Sequence, residues 1–300
     1  MRIPHPIPYQ GSKRGIALEI LRFFPKQFHR LVEPFAGSAA ISIATASRSM
    51  ASAFWLNDAH QPLIRLWREI IDNGDKLADA YEDHWYAQFG NERGYFNDVR
   101  QRFNQSGKPE DFLYLLTRCV KAAIRYNAKG EFNNTPDNRR KGTRPDEMRS
   151  RIQRVSALLN GKTTLTADHY AGILEQCDAN DIVYMDPPYQ GVCKNRDQRY
   201  CPPFDHEEFC QWIDRLNARN IRFIISYDGR TGEKVHGQSL PDELRLTRFE
   251  IVAGRSTQAT LLGRNEETIE SLYVSRNLMA SNKRPLKKTT QELLLATYGH

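Results

Sequence analysis

The most chemically specific run in the chain is Asp186-Pro187-Pro188-Tyr189, which directly follows the apolar stretch Ile182-Val183-Tyr184-Met185. In open α/β sheets ligands collect at the carboxyl ends of strands, and this tetrapeptide sits at such an end. Its two prolines fix φ and remove two N–H donors, so the loop is stiff and rich in carbonyl acceptors. An acidic side chain, rigid carbonyls and a ring together form a pocket for a planar group bearing N–H donors, and the exocyclic amine of a nucleobase is such a group. A proline turn capped by an aspartate uses the same four residues, so the tetrapeptide alone leaves both readings open. A second cluster, Cys193, Cys201, His206 and Cys210, falls within 18 residues. Structural zinc sites pair ligands two to four residues apart, and Cys193 to Cys201 is too wide, so no metal site is expected.

The 300 residues include 43 Lys/Arg and 36 Asp/Glu, a net charge of +7. Between residues 118 and 154 stand eleven basic and four acidic residues, and the rest of the chain is balanced at 32 of each. One segment therefore holds the whole excess, as a surface for a polyanion would. A solvated helix face could hold it too. Tyr126, Phe132, asparagines and the loop-like stretch that includes Arg139, Arg140 and Lys141 add groups suited to bases as well as phosphates. Lys283, Arg284, Lys287 and Lys288 read as a solvated tail. Hydrophobic residues at 40% and charged residues at 26% exclude wholesale disorder. No apolar run approaches the roughly 18 residues of a membrane span. The first residues lack the apolar core of a secretory signal, and the five cysteines form no C-x-x-C pair. These features lead us to expect a reduced, soluble, cytoplasmic protein.

The elements that must position these groups can be read from periodicity. Lys13 to Phe24 reads as an amphipathic helix stopped by Pro25. A strand over 31–35 runs into the tight turn Ala36-Gly37-Ser38 and a helix of small residues, with Ser38 as its expected N-cap. Further strands are expected over 52–58, 163–168, 181–186, 221–226 and 270–275, and helical spacing dominates 62–126, 146–159 and the stretch from Asp205. Alternating strand and helix predicts a mostly parallel sheet with helices on both faces. The helical, basic block over 71–159 interrupts that alternation. It reads as an insertion into a core made of 1–70 and 160–300.

Taken in order, Tyr9-Gln10-Gly11-Ser12-Lys13, Glu33-Pro34-Phe35-Ala36-Gly37-Ser38, Asp58 and Asp186-Pro187-Pro188-Tyr189 resemble the motifs of the Dam-type, alpha-group DNA adenine-N6 methyltransferases. Arg125-Tyr126-Asn127-Ala128-Lys129-Gly130-Glu131-Phe132-Asn133 is similar to the signature of that family's recognition region. The resemblance implies an α/β fold: a Rossmann-like S-adenosylmethionine-dependent methyltransferase core with an inserted, mostly helical target-recognition domain. It implies that Tyr9, Lys13 and Glu33, Pro34, Phe35, Gly37 and Ser38 hold the methionine end of the cofactor, whose carboxylate would suit a helix N-terminus. Asp58, 21 residues after Gly37, would accept the ribose hydroxyls. Asp168 and Tyr170 would lie near the cofactor adenine, and Asp186 borders both substrates. Arg125, Tyr126, Asn127, Lys129, Asn133, Arg139, Arg140 and Lys141 would meet the DNA. The sequence departs from the family's Phe-x-Gly-x-Gly pattern at Ala39, whose methyl narrows the room for backbone approach.

On this resemblance the expected activity is methyl transfer to N6 of an adenine flipped out of double-stranded DNA. Asp186 and the Pro187 carbonyl would accept the amine's two N–H groups, and Tyr189 would stack on the base. Cytosine-N4 transfer is a rival, because cytosine offers an amine to the same acceptors. A catalytically inactive nucleic-acid binder on this scaffold is another, and RNA is a further possible substrate. A monomer of bacterial or phage type is expected, with a restriction endonuclease as a potential functional partner.

Overall fold

The computed structural model describes residues 3–137, 139–188, 204–231, 234–255 and 267–281. Tyr189, Cys193, Cys201 and the basic cluster at 283–288 lie outside them.

Five strands run parallel: β1 (Phe28–Glu33), β2 (Ala51–Asn57), β3 (Thr163–Thr166), β4 (Asp181–Met185) and β5 (Arg222–Thr231). A short β6 (Lys234–His236) hangs on β5, and β7 (Thr247–Arg255) and β8 (Glu267–Val274) complete the order β3-β2-β1-β4-β5-β8-β7. The reversal of strand order between β1 and β4 opens a crevice at their carboxyl ends.

Why the sheet has helices on both faces is visible in its side chains. Leu31, Phe54, Leu56, Ile182, Tyr184 and Ile224 enter one apolar core, and Val32, Trp55, Val183, Met185, Phe223 and Ile225 enter another. That is the two-residue alternation of a strand, with both faces covered. On the first face lie α1 (Ala17–Ile20), α2 (Ala40–Ala46) and the helical block: α3 (Gln61–Asp72), α4 (Gly74–Ala87), α5 (Glu92–Ser106), α6 (Pro109–Arg118) and α7 (Pro145–Leu159). On the second lie α8 (Tyr170–Gln176) and α9 (His206–Ala218). Phe112, Leu115, Met148 and Val155 of the helical block belong to the same apolar cluster as Leu31 and Phe54 of the sheet.

Several expected boundaries move. The helix expected from Lys13 is broken into a 3-10 turn, the four-residue α1 and a second 3-10 turn. Ser38 does not cap α2: Ala39 is the N-cap, in the left-handed region at φ 47°, and the Ser38 hydroxyl instead meets that of Ser12 at 2.6 Å. Asp205 does cap α9, accepting from the backbone N–H groups of Glu207 and Glu208.

Candidate active site

One cleft lies over the carboxyl ends of β1, β2 and β4. Every residue expected to hold the cofactor lines it: Tyr9, Lys13, Glu33, Pro34, Phe35, Gly37, Ser38, Asp58, Asp168, Tyr170 and Asp186, together with Pro187. Phe35 and Tyr170 form an apolar wall with ring centroids 5.0 Å apart, extended by Phe204.

The turn after β1 is held from several sides. Asp58 Oδ2 accepts the Gly37 N–H at 3.0 Å, and the buried Trp67 indole on α3 donates to the Gly37 carbonyl at 2.9 Å. Gly37 has φ +48°, and a Cβ there would stand 3.1 Å from the Tyr9 ring, so glycine is required by both conformation and space. Ala39 is fully buried in a left-handed conformation that costs an L-residue about 1–2 kcal/mol. The departure from the glycine pattern is therefore a matter of backbone strain as well as room.

Glu33 closes the base of the turn. Its Oε1 accepts the Ser42 N–H at 2.7 Å in the first turn of α2, so the chain's own carboxyl occupies that amide. Burial pushes the Glu33 carboxyl up to about 8, against the pull of its bonds to Ser42. Asp58 is also buried and rises to about 6, partly offset by the N–H groups of His60 and Gly37 that it accepts. A carboxylate offers about four lone-pair sites, so those two bonds leave Asp58 capacity for a ligand. Asn57, which sequence reasoning passed over, ties three loops together. It donates to the carbonyls of Pro34 and Asp168 and accepts from Asp168 N–H and the Thr166 hydroxyl.

Asp186 stands at the end of β4 with Lys13 on its Oδ1 at 2.8 Å. Burial raises the Asp186 carboxyl to about 6; Lys13 works to lower it and Glu270 to raise it. Lys13, 6% exposed, is driven further toward its charged form by Asp186 and Glu270, which outweigh the opposing cost of burial. Lys13, expected among the cofactor ligands, lines the cleft and is bonded to the expected catalytic carboxylate.

With this geometry in hand, comparison with known proteins places the chain. Residues 9–248 match the D12 class N6 adenine-specific DNA methyltransferase family. The chain belongs to that family. It is 30% identical over 193 residues to the retron Ec67 DNA adenine methylase of Escherichia coli, a match spanning 62% of this chain and 64% of that protein. It is 29% identical to the DNA adenine methylase of Serratia marcescens, over 61% of this chain and 66% of the relative. With the type II methyltransferase M.MjaIII of Methanocaldococcus jannaschii it shares 23% identity over 75% of this chain and 84% of the relative. The matched part spans less than two thirds of the retron enzyme and 37% of the StsI modification methylase.

In this family member the segment resembling the recognition signature is a hairpin, with Tyr126 bridged to Phe132 and Asn127 N–H donating to the Glu131 carbonyl. Arg125, Lys129, Asn133, Arg139, Arg140 and Lys141 are exposed, outside the cleft. Two residues expected on DNA have partners within the protein. The Tyr126 hydroxyl meets His60 Nε2 at 2.7 Å, and the Asn127 side chain accepts the N–H groups of Lys129 and Glu131 to build the turn. His60 carried no signal in sequence, because its partner lies on a distant hairpin.

Proposed function

We propose that this chain is a site-specific DNA methyltransferase that moves a methyl group from S-adenosylmethionine to N6 of an adenine flipped out of double-stranded DNA. The observation that carries this reading is the single cleft in which the glycine turn, Asp58, Asp168 and the Asp186-Pro187 acceptors meet. The family match favours adenine over the cytosine N4 amine.

The residues fit the cofactor. The turn at Gly37, with φ +48°, is in a conformation that favours glycine and keeps the backbone bare where it lines the cleft. The cleft pairs carboxyl acceptors for hydroxyl groups with the Phe35–Tyr170 wall for a flat ring. When bound, S-adenosylmethionine supplies an electrophilic methyl on a sulfonium centre. Asp58 would accept ribose hydroxyls, Glu33 and the Gly37–Ser38 turn would line the methionine end, and Asp168 and Tyr170 would flank the adenine.

The target amine is a poor nucleophile because its lone pair is delocalised into the ring. Asp186 and the Pro187 carbonyl accept its two N–H groups and draw the nitrogen toward tetrahedral geometry. Lys13 engages Oδ1 of Asp186, which leaves Oδ2 for the amine. Fixed acceptors of this kind are each worth about 3–4 kcal/mol where charge develops. The base must leave the duplex to reach them. DNA enters against the exposed basic hairpin side. Monomeric action in the cytoplasm, and pairing with an endonuclease in a restriction–modification system, complete this reading.

The test uses radiolabelled S-adenosylmethionine, unmethylated duplex DNA and digestion to nucleosides. Label is expected in N6-methyladenine, and Asp186→Ala is expected to abolish it while cofactor binding persists. Label in N4-methylcytosine, or an Asp186→Ala variant within tenfold of wild type, would overturn the assignment.

A further inference from the structure

The close pair of Lys13 and Asp186 sets an electrostatic difficulty for methyl transfer to an amine. A cation and an anion 2.8 Å apart sum to zero. The charge that develops on the attacking nitrogen is positive, so a neutral pair stabilises it much less than a lone carboxylate does. A third group is at hand. Glu270 of β8 places Oε2 3.7 Å from Lys13 Nζ, and its side chain is 16% exposed. Lys13, Asp186 and Glu270 together carry a net charge of −1.

The sheet is shaped to bring Glu270 there. β5 and β8 shift register between Ser226 and Gly229, and Gly229 pairs directly with Glu270. A Cβ at Gly229 would lie 2.5 Å from the Ile269 carbonyl oxygen, so β8 can close on this position only because residue 229 has no side chain. Glu33 does not fill the same role. Its Oε1 is taken by the Ser42 N–H, and burial raises its carboxyl to about 8, which favours the neutral form.

We infer that Glu270 is a positioning residue for the reaction: by sharing Lys13 with Asp186, it keeps the Asp186 site anionic and fixes the lysine on one carboxylate oxygen. This rests on the reading of Asp186 as the acceptor of the target amine. Among the described residues, the charged and titratable groups acting on Asp186 and Lys13 include each other, Glu270, Glu33 and Tyr184. Among them Glu270 and Asp186 are the two carboxylates in ion-pair range of Lys13.

The experiment is single-turnover methyl transfer by the full chain with Glu270→Gln, an isosteric change, and Glu270→Asp. Glu270→Gln is expected to lose roughly tenfold in rate, with S-adenosylhomocysteine and DNA dissociation constants within about twofold of wild type. Its acid limb should move to lower pH, since removing a neighbouring negative charge eases ionisation of Asp186. Glu270→Asp should recover most of the rate. In a Lys13→Met background, Glu270→Gln should cost less than about twofold, because the role runs through the lysine. A Glu270→Gln rate within twofold of wild type, an equal loss in both backgrounds, an unmoved acid limb, or a parallel loss of cofactor affinity each overturns the inference. An active Asp186→Ala variant would instead overturn the reading of Asp186 on which it rests.

Discussion

At the scale of single residues, the cleft is defined by carboxyl groups from which water has been withdrawn. Glu33 is the extreme case, 2% exposed, with its carboxyl raised to about 8. Below the ordinary carboxylate range, folded and unfolded chains both bind this proton, and the group's stabilising contribution is fully present. As pH rises the unfolded chain releases the proton first, so stability declines, and the contribution is gone once pH has passed through about 8. Glu33→Gln keeps an oxygen for the Ser42 N–H and removes the titration. It should leave the melting temperature at pH 5 nearly unchanged and raise stability at pH 9 by about 1–3 kcal/mol. Thermal melts of both proteins at the two pH values test this, and an identical difference at pH 5 and pH 9 would sink it. Ala39 is the opposite kind of residue, apolar and strained, and its cost was legible only in part. Its departure from the glycine pattern could be seen in sequence, whereas its left-handed φ of 47° needed the fold.

At the scale of elements, the glycine turn of the cleft and the hairpin that resembles a recognition motif are joined by short bonds. Asp58 takes the N–H groups of Gly37 and His60, and His60 Nε2 meets the Tyr126 hydroxyl at 2.7 Å. Burial lowers His60 to about 3, so the link stays uncharged at neutral pH. If the two ends bind cofactor and DNA, their affinities are coupled through it, and the coupling must be reciprocal. Tyr126→Phe keeps the ring against Phe132 and removes the hydroxyl. The factor by which S-adenosylhomocysteine tightens DNA binding should then fall about fivefold, with DNA affinity in its absence changed less than twofold. Titrations of DNA with and without the cofactor product decide this, and an unchanged factor removes the link from the mechanism. Such links were silent in sequence, because His60 and Tyr126 are brought together by the tertiary fold. Element centres were legible and edges were not. Phe28-His29-Arg30 pairs with β2 and β4 but shows no apolar alternation, so β1 was placed three residues late. β7 was missed although Phe249, Ile251 and Ala253 alternate inward against Arg248 and Glu250, the pattern of a half-buried strand.

At the scale of the whole molecule, the charge excess read from the sequence divides into exposed and occupied parts. The lining of the cleft was legible because its residues lie in short contiguous motifs at strand ends. Which cations the protein itself engages was not, because their partners come from other helices. Arg149 is held by Asp79 and Glu82 of α4, Lys141 by Glu92 of α5, and Arg118 is 1% exposed. Arg139 is exposed, and Arg140 is 62% exposed with an open ion pair to Asp137 at 3.4 Å. Exposed pairs of that kind contribute about 0–1 kcal/mol and yield readily to a phosphate. Removing one cation that neutralises a phosphate lowers the slope of log affinity against log salt by about 0.9. Arg139→Ala with Arg140→Ala should therefore reduce that slope by close to two, weakening binding to all duplexes alike. Arg149→Ala should leave the slope within about 0.3 of wild type, since its charge is already spent on α4. Binding measured from 50 to 200 mM salt separates the two sets. Equal slopes for both variants would mean that the duplex follows a path away from the segment between residues 137 and 144, and that the hairpin alone meets it.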